Sequence, residues 1–327
     1  MKSQPFYHLR PNKSIDRTLF SQVLLGLSRI LPISHYQYIG FGSFLFDDFK
    51  LLHDIVNISN MISLEIDPRE YDRARFNIPY NCIDLRNMSS TEFISELITE
   101  EDSQSIVWLD FVEPKELSRQ LADFAALLEK LNPNDVVRIT LNANPAALGT
   151  EADDVEKLHE ARVEKLKTRV QEAYLPQSLS SEDVMTNGYP NTLLRILQNV
   201  AMLSLTDDPP FSANFLFPLF SSVYADGQQM VTFTGIVLDN HEFELDIRRA
   251  LQDHPYINFS FTEPNIIQIP ALSTREVTEL NKYIPSPEMR EQLEQTFPFI
   301  FTPKDPRLLD SYILFYKYYP NYYKISL

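Results

Sequence analysis

Five short apolar runs, each followed by a segment of helical periodicity, constrain this chain more than any other feature. Residues 36–41 (YQYIGF), 61–66 (MISLEI), 81–85 (NCIDL), 105–111 (SIVWLDF) and 135–141 (DVVRITL) have the length and the aromatic or β-branched content of buried strands. Between them, 45–56 spaces Leu45, Phe49, Leu52 and Val56 as one helical face, and 68–76, 90–98 and 116–131 read as helices too. Strands joined by helices of this length need right-handed crossovers and a parallel sheet. After a helix at 192–205 the pattern changes. Two further strand-like runs, 215–224 and 230–238, flank Asp226-Gly227 and predict a β-hairpin. The expected fold class is therefore α/β, a parallel sheet closed by an antiparallel hairpin strand.

Around that domain, at 36–238, lie an N-terminal helical segment (1–35), a helical insertion at about 146–186 and a C-terminal α+β extension (239–327). The first helix is expected from the cap Ser14 through Leu19, Phe20, Val23, Leu24, Leu27 and Ile30, with Pro32 ending it. In the insertion, Val155, Leu158, Arg162, Leu166 and Val170 fall on one stripe. Ligands of open α/β sheets bind at the carboxyl ends of the strands, where the insertion is anchored. It reads either as a lid over the site or as a partner-binding helix. The extension is punctuated by proline and ends in SYILFYKYYPNYYKISL. A tail this aromatic is expected to pack on the core or on another subunit.

A net charge of −16 argues against broad nucleic-acid binding, which depends on Lys and Arg at phosphates. One cysteine, Cys82, excludes an internal disulfide. No stretch reaches the roughly 18–20 apolar residues of a membrane span, and the polar N-terminus lacks a signal-peptide core. A cytoplasmic location is expected. Lys2, Arg10, Lys13, Arg17 and Arg29 make the first thirty residues basic, with Asp16 the sole acid there. Two readings stand: a solvated helix face, or a set in which Arg10, Lys13 and Arg17 hold an anionic substrate.

With only seven glycines in the chain, Gly40-Phe41-Gly42-Ser43 after the first strand is informative. Glycines here let backbone approach a ligand, and amides at the next helix can meet an anionic group. The second strand ends in Glu65, with Asp67 two residues on; a carboxylate there can accept from both hydroxyls of a ribose.

On YIGFGS, ISLEID, NCIDL and IVWLDF, in that order over residues 36–238, the chain resembles the class I (Rossmann-like) S-adenosylmethionine-dependent methyltransferases. The resemblance implies S-adenosylmethionine as cofactor. It puts Gly40, Gly42, Ser43, Glu65 and Asp67 around it, and Asp84, at the end of the third strand, near its adenine. It sets Asp110 at the methyl-transfer site as base, with Glu113 second; Asp110 reads equally as a cap for the next helix. The sequence also departs from the family. Tyr38 stands where its loop has an acid and Phe44 where it has a third glycine; Asp47 and Asp48 either replace the acid or merely suit a helix N-terminus. The motif used on nucleobase amino groups is absent after the fourth strand.

No HxxxH or HxH spacing, GxSxG elbow or P-loop occurs, so neither a metal site nor those chemistries are legible. The expected function is methyl transfer to an oxygen, second a nitrogen, of a small-molecule or protein acceptor. The alternative is a degenerate methyltransferase-like component of a bacterial complex such as a defence or modification system. A homo-oligomer or protein complex would form through the insertion or the tail.

Overall fold

The computed structural model describes residues 10–97, 103–150, 154–205, 214–302 and 305–320. Chain contacts divide it into two compact units, Phe20–Val223 with Gly227–Asn265, and Met1–Leu19 with Tyr224–Asp226 and Ile266–Leu327. α1 (Pro11–Leu27) contributes residues to both units, up to Leu19 to the smaller and from Phe20 to the larger. That helix begins at Pro11, ahead of Ser14. Proline has no N–H to orphan and a φ already suited to a first turn.

The larger unit alternates strand and helix in chain order. It runs β1 (Gln37–Gly40), α2 (Asp47–Val56), β2 (Asn60–Leu64), α3 (Pro68–Asn77), β3 (Ile83–Arg86), α4 (Ser90–Glu96), β4 (Ser105–Asp110), α5 (Leu117–Leu128) and β5 (Val136–Asn142). Then come α6 (Val155–Arg169), α7 (Tyr189–Leu205), β6 (Phe215–Ala225), β7 (Gln229–Leu238) and α8 (Phe243–Leu251). The strands are ordered β3-β2-β1-β4-β5-β7-β6. β1 pairs in parallel with β2 and β4, β2 with β3, and β4 with β5. β7 runs antiparallel to β5, from Val136↔Ile236 to Asn142↔Met230. Gly227, at φ 107°, turns the hairpin in a conformation that favours glycine. The expected sheet and its closing strand are thus present.

Continuous burial along β1, β2, β4 and β5 follows from helices on the sheet's faces. Ile39, Val107, Leu109, Ile139 and Phe233 pack with Phe124, Leu193 and Leu197 of α5 and α7 in one core. Inside β5, Arg138 is fully buried, its guanidinium 4.7 Å from the Phe20 ring and 4.6 Å from that of Trp108. Its Nη1 donates to Thr234 Oγ1 at 2.6 Å.

The insertion helix α6 follows the expected stripe over its second half, at Leu166 and Val170, but not at its start. Val155 is 67% exposed, whereas Val163, Leu166 and, just past the helix, Val170 are buried. Arg162 is half-buried because its Nε reaches the Gly149 carbonyl at 2.9 Å.

The smaller unit contains the first part of α1, most of β8 (Asn265–Ile267), α9 (Thr274–Leu280), α10 (Met289–Thr296) and α11 (Pro306–Phe315). Leu280, Leu293, Phe297, Phe301, Leu309 and Tyr312 form its core. Asn12 ties its pieces together: Nδ2 donates to the Ala225 carbonyl, and Oδ1 accepts from the Ile269 amide at 3.0 Å. From the aromatic tail, the Tyr319 hydroxyl accepts from Leu272 N–H and donates to the Pro270 carbonyl, both at 3.0 Å. The end of the tail, 321–327, lies outside the described residues.

Candidate functional site

In a parallel sheet every strand delivers its following loop to the same edge, so the carboxyl ends of β1 to β5 collect the candidate residues. β1 leads into a tight turn in which Phe46 N–H donates to the Gly42 carbonyl at 2.8 Å. Glycine is required at position 42 by space. A Cβ there would stand 2.6 Å from Phe46 Cδ1 and 2.8 Å from Ser63 Oγ. Ser63 is fully buried in β2 and accepts the Gly42 amide at 3.1 Å, so the turn is tied to the neighbouring strand. Ser43 and Phe46 both hold left-handed backbone, at φ 50° and 51°, which costs non-glycine residues energy. Phe44 turns toward α3, where the Arg73 guanidinium lies 3.4 Å from its ring centroid.

Glu65 follows β2 directly, and its amide still pairs with Arg86 of β3 at 3.0 Å. Burial pushes its carboxyl above the ordinary value; the Asp67 N–H opposes this, and the charges of Glu70 and Asp67 add to it. Asp67 caps α3, accepting from the amides of Arg69 and Glu70 at 2.8 and 3.3 Å. Ile66 between them is 65% exposed, an apolar face beside a carboxylate.

Asp84 is the second residue of β3, not its end. It is exposed and paired with Arg86 Nε at 2.8 Å. The carboxyl end of that strand carries Asn87, whose Nδ2 donates to the Glu65 carbonyl at 2.7 Å and so steadies the loop after β2. A polar residue just past a strand was the only local signal for it.

Asp110 ends β4, half-buried, one residue before Phe111, whose ring meets Phe41 of the glycine turn at 6.1 Å. The loops after β1 and β4 are therefore in contact. Glu113 is exposed and accepts from Lys115 N–H at 3.3 Å, opening a short turn before α5. The insertion reaches the same edge through Arg169. Its Nη1 donates to the carbonyls of Ala147, after β5, at 3.0 Å, and of Pro114, after β4, at 3.4 Å. Gln229 adds a second tie, donating to Ala143 at 3.0 Å and Thr186 at 2.8 Å.

Arg10 precedes α1, and Lys13 and Arg17 lie in the first half of that helix. They belong to the smaller unit, where Lys13 and Arg17 are 2% and 8% exposed. A solvated helix face therefore does not describe Lys13 and Arg17. Apolar spacing marked the helix but not how deeply its polar side would be covered.

Among the described residues, no group of three or more His, Cys, Asp or Glu could hold a metal ion. No described helix is long and apolar enough to cross a membrane.

The model of a family described as "Putative O-methyltransferase" matches residues 5–327. No curated protein matches. Among solved structures, the N-methyltransferase NodS from Bradyrhizobium japonicum WM9, in complex with S-adenosyl-L-homocysteine, is similar at 13% identity. That similarity covers 68% of this chain and 85% of NodS, with a TM-score of 0.36. A fibrillarin pre-rRNA processing protein from Methanococcus jannaschii is similar at 11% identity over 64% of this chain and 70% of its own, with a TM-score of 0.32. LepI in complex with SAM is similar at 10% identity over 66% of this chain and 46% of its own, with a TM-score of 0.38.

Proposed function

The chain belongs to the family described as putative O-methyltransferase, and on that premise we propose that it transfers a methyl group from S-adenosylmethionine to an oxygen of a small-molecule or protein acceptor. The observation that carries this reading is the distribution of acids across the sheet edge. Glu65 follows β2 and Asp110 ends β4, and β1 with its glycine turn lies between those strands.

The donor set suits the cofactor. Glu65 would accept from the two ribose hydroxyls and Ile66 would offer the adenine an apolar face, while Asn87 steadies the loop after β2 that carries both. Asp67 shapes this end by capping α3. The glycine turn brings backbone close to the remainder of the ligand. When bound, the cofactor supplies an electrophilic methyl group. The protein's own part is to align the acceptor and to receive its proton, which falls to Asp110 at the β4 end. Glu113, exposed two residues beyond Phe111, is the second candidate. The insertion, tied down by Arg169 and Gln229, forms one wall for the acceptor.

Calorimetric titration with S-adenosylmethionine and S-adenosylhomocysteine tests the reading, repeated on Glu65→Ala and Asp110→Asn. Both ligands bind the wild type, Glu65→Ala loses them, and Asp110→Asn keeps them. Transfer of labelled methyl to a panel of hydroxyl acceptors falls about 10²–10⁴-fold in Asp110→Asn, the usual worth of a positioned base. Folded wild type that binds neither ligand overturns the proposal.

A further inference from the structure

We propose that Asp48, positioned by Tyr38, is the carboxylate that receives the α-ammonium group of the methyl donor; the assignment rests on the donor reading above. The order β3-β2-β1-β4 sets the geometry. A donor with its ribose at Glu65 and its methyl group turned to Asp110 extends from the end of β2 across the end of β1. Its amino-acid portion then lies over the turn at Gly40–Gly42. That portion carries a cation, and a cation leaving water needs a carboxylate.

β1 itself offers no acid. Of the two that open α2, Asp47 has a side chain 32% exposed and lies 3.9 Å from Lys50 Nζ. Asp48 is 6% exposed, and its Oδ2 accepts from the Tyr38 hydroxyl at 2.5 Å. The same hydroxyl lies 2.6 Å from where a Cβ on Gly40 would stand, so the pair is packed directly against the turn. Tyr38 is fully buried and its ring meets Phe49 edge-on at 4.9 Å, which holds the hydroxyl in place. A phenol donates a hydrogen bond without neutralising the carboxylate. The first turn of α2 favours a negative charge at this position as well. Tyr38 is therefore a positioning residue and Asp48 the group that meets the ligand.

The test compares two ligands on the intact chain: S-adenosylhomocysteine and 5′-methylthioadenosine, which shares the adenosine but lacks the amino-acid portion. Asp48→Asn should weaken S-adenosylhomocysteine about ten- to a hundredfold, the size of a charge-assisted hydrogen bond. It should leave methylthioadenosine within about twofold on the same argument. Tyr38→Phe should show the same selectivity at smaller amplitude, while Glu65→Ala weakens both ligands. Should Asp48→Asn fail to fold by circular dichroism, Tyr38→Phe carries the comparison, together with wild-type binding of a desamino analogue of S-adenosylhomocysteine. Equal loss of both ligands in the variant, or unchanged S-adenosylhomocysteine binding, overturns the assignment and leaves the donor reading standing. Wild type that binds neither ligand removes both.

Discussion

The backbone amide of Gly42 donates to Ser63 Oγ across 3.1 Å, joining the turn after β1 to the interior of β2. Ser63 is fully buried, and its hydroxyl oxygen is the acceptor for this amide. Removing its oxygen orphans a loop donor at the point where backbone is to approach a ligand. Ser63→Ala should therefore lower stability by about 1–2 kcal/mol, the cost of a buried unsatisfied donor. Urea unfolding measures that loss. The affinity for S-adenosylhomocysteine should fall in parallel; unchanged affinity in a destabilised variant would separate the tie from the site.

Arg138 is a cation in the middle of a strand, enclosed by Phe20, Trp108 and Thr234. Its planar head stacks on two rings, which an ammonium cannot reproduce. Arg138→Ala should cost about 3–5 kcal/mol, combining a cavity with the loss of a buried charge's contacts. Arg138→Lys should cost less but not be neutral. Equilibrium denaturation of both variants checks the order, and equal stability of Arg138→Lys and wild type would refute the stacking argument.

Asp135 is fully buried at the amino-terminal edge of β5 and accepts from the amides of Ser105 at 2.6 Å and Asn132 at 2.7 Å. Burial pushes its carboxyl up to about 6, against the lowering effect of those amides and of the Ser105 hydroxyl. A carboxyl raised in the folded state binds its proton more tightly there than in the unfolded chain. Its contribution is complete below the ordinary carboxylate value near pH 4 and is lost as pH rises through about 6. Measured against Asp135→Asn, wild-type stability should decline over that window by on the order of 2–3 kcal/mol. Parallel stability curves for the two proteins from pH 4 to 7 would contradict this.

Much of the candidate site's placement could be read along the chain because its signals are local. Gly40 and Gly42 follow a strand, and Glu65 and Asp110 close two others, so their edge of the sheet follows from strand polarity alone. Asp84 was placed by the length of an apolar run, and β3 continues two residues further, because Leu85 and Arg86 pair with Ser63 and Leu64. Ser63 was not legible as a site residue, and Asp48 was legible only together with Asp47, as acids that either replace the missing loop acid or suit a helix N-terminus. A serine within a strand and an acid in a first helical turn are ordinary locally, and only the packing of β1 against its neighbours gives them partners.

The sequence by itself determined the alternation of strand and helix, the parallel sheet with its reversed last strand, and the acids at two strand ends. These depend on periodicity and chain direction, which act over a few residues at a time. Tertiary structure alone decided that Lys13 and Arg17 are buried, that α1 is shared between two units and that α6 buries Val163, not Val155. It also decided that the turn at Gly40–Gly42 rests on Tyr38, Asp48 and Ser63. Such facts concern which surfaces meet, and the free energy of covering a side chain depends on partners distant in sequence.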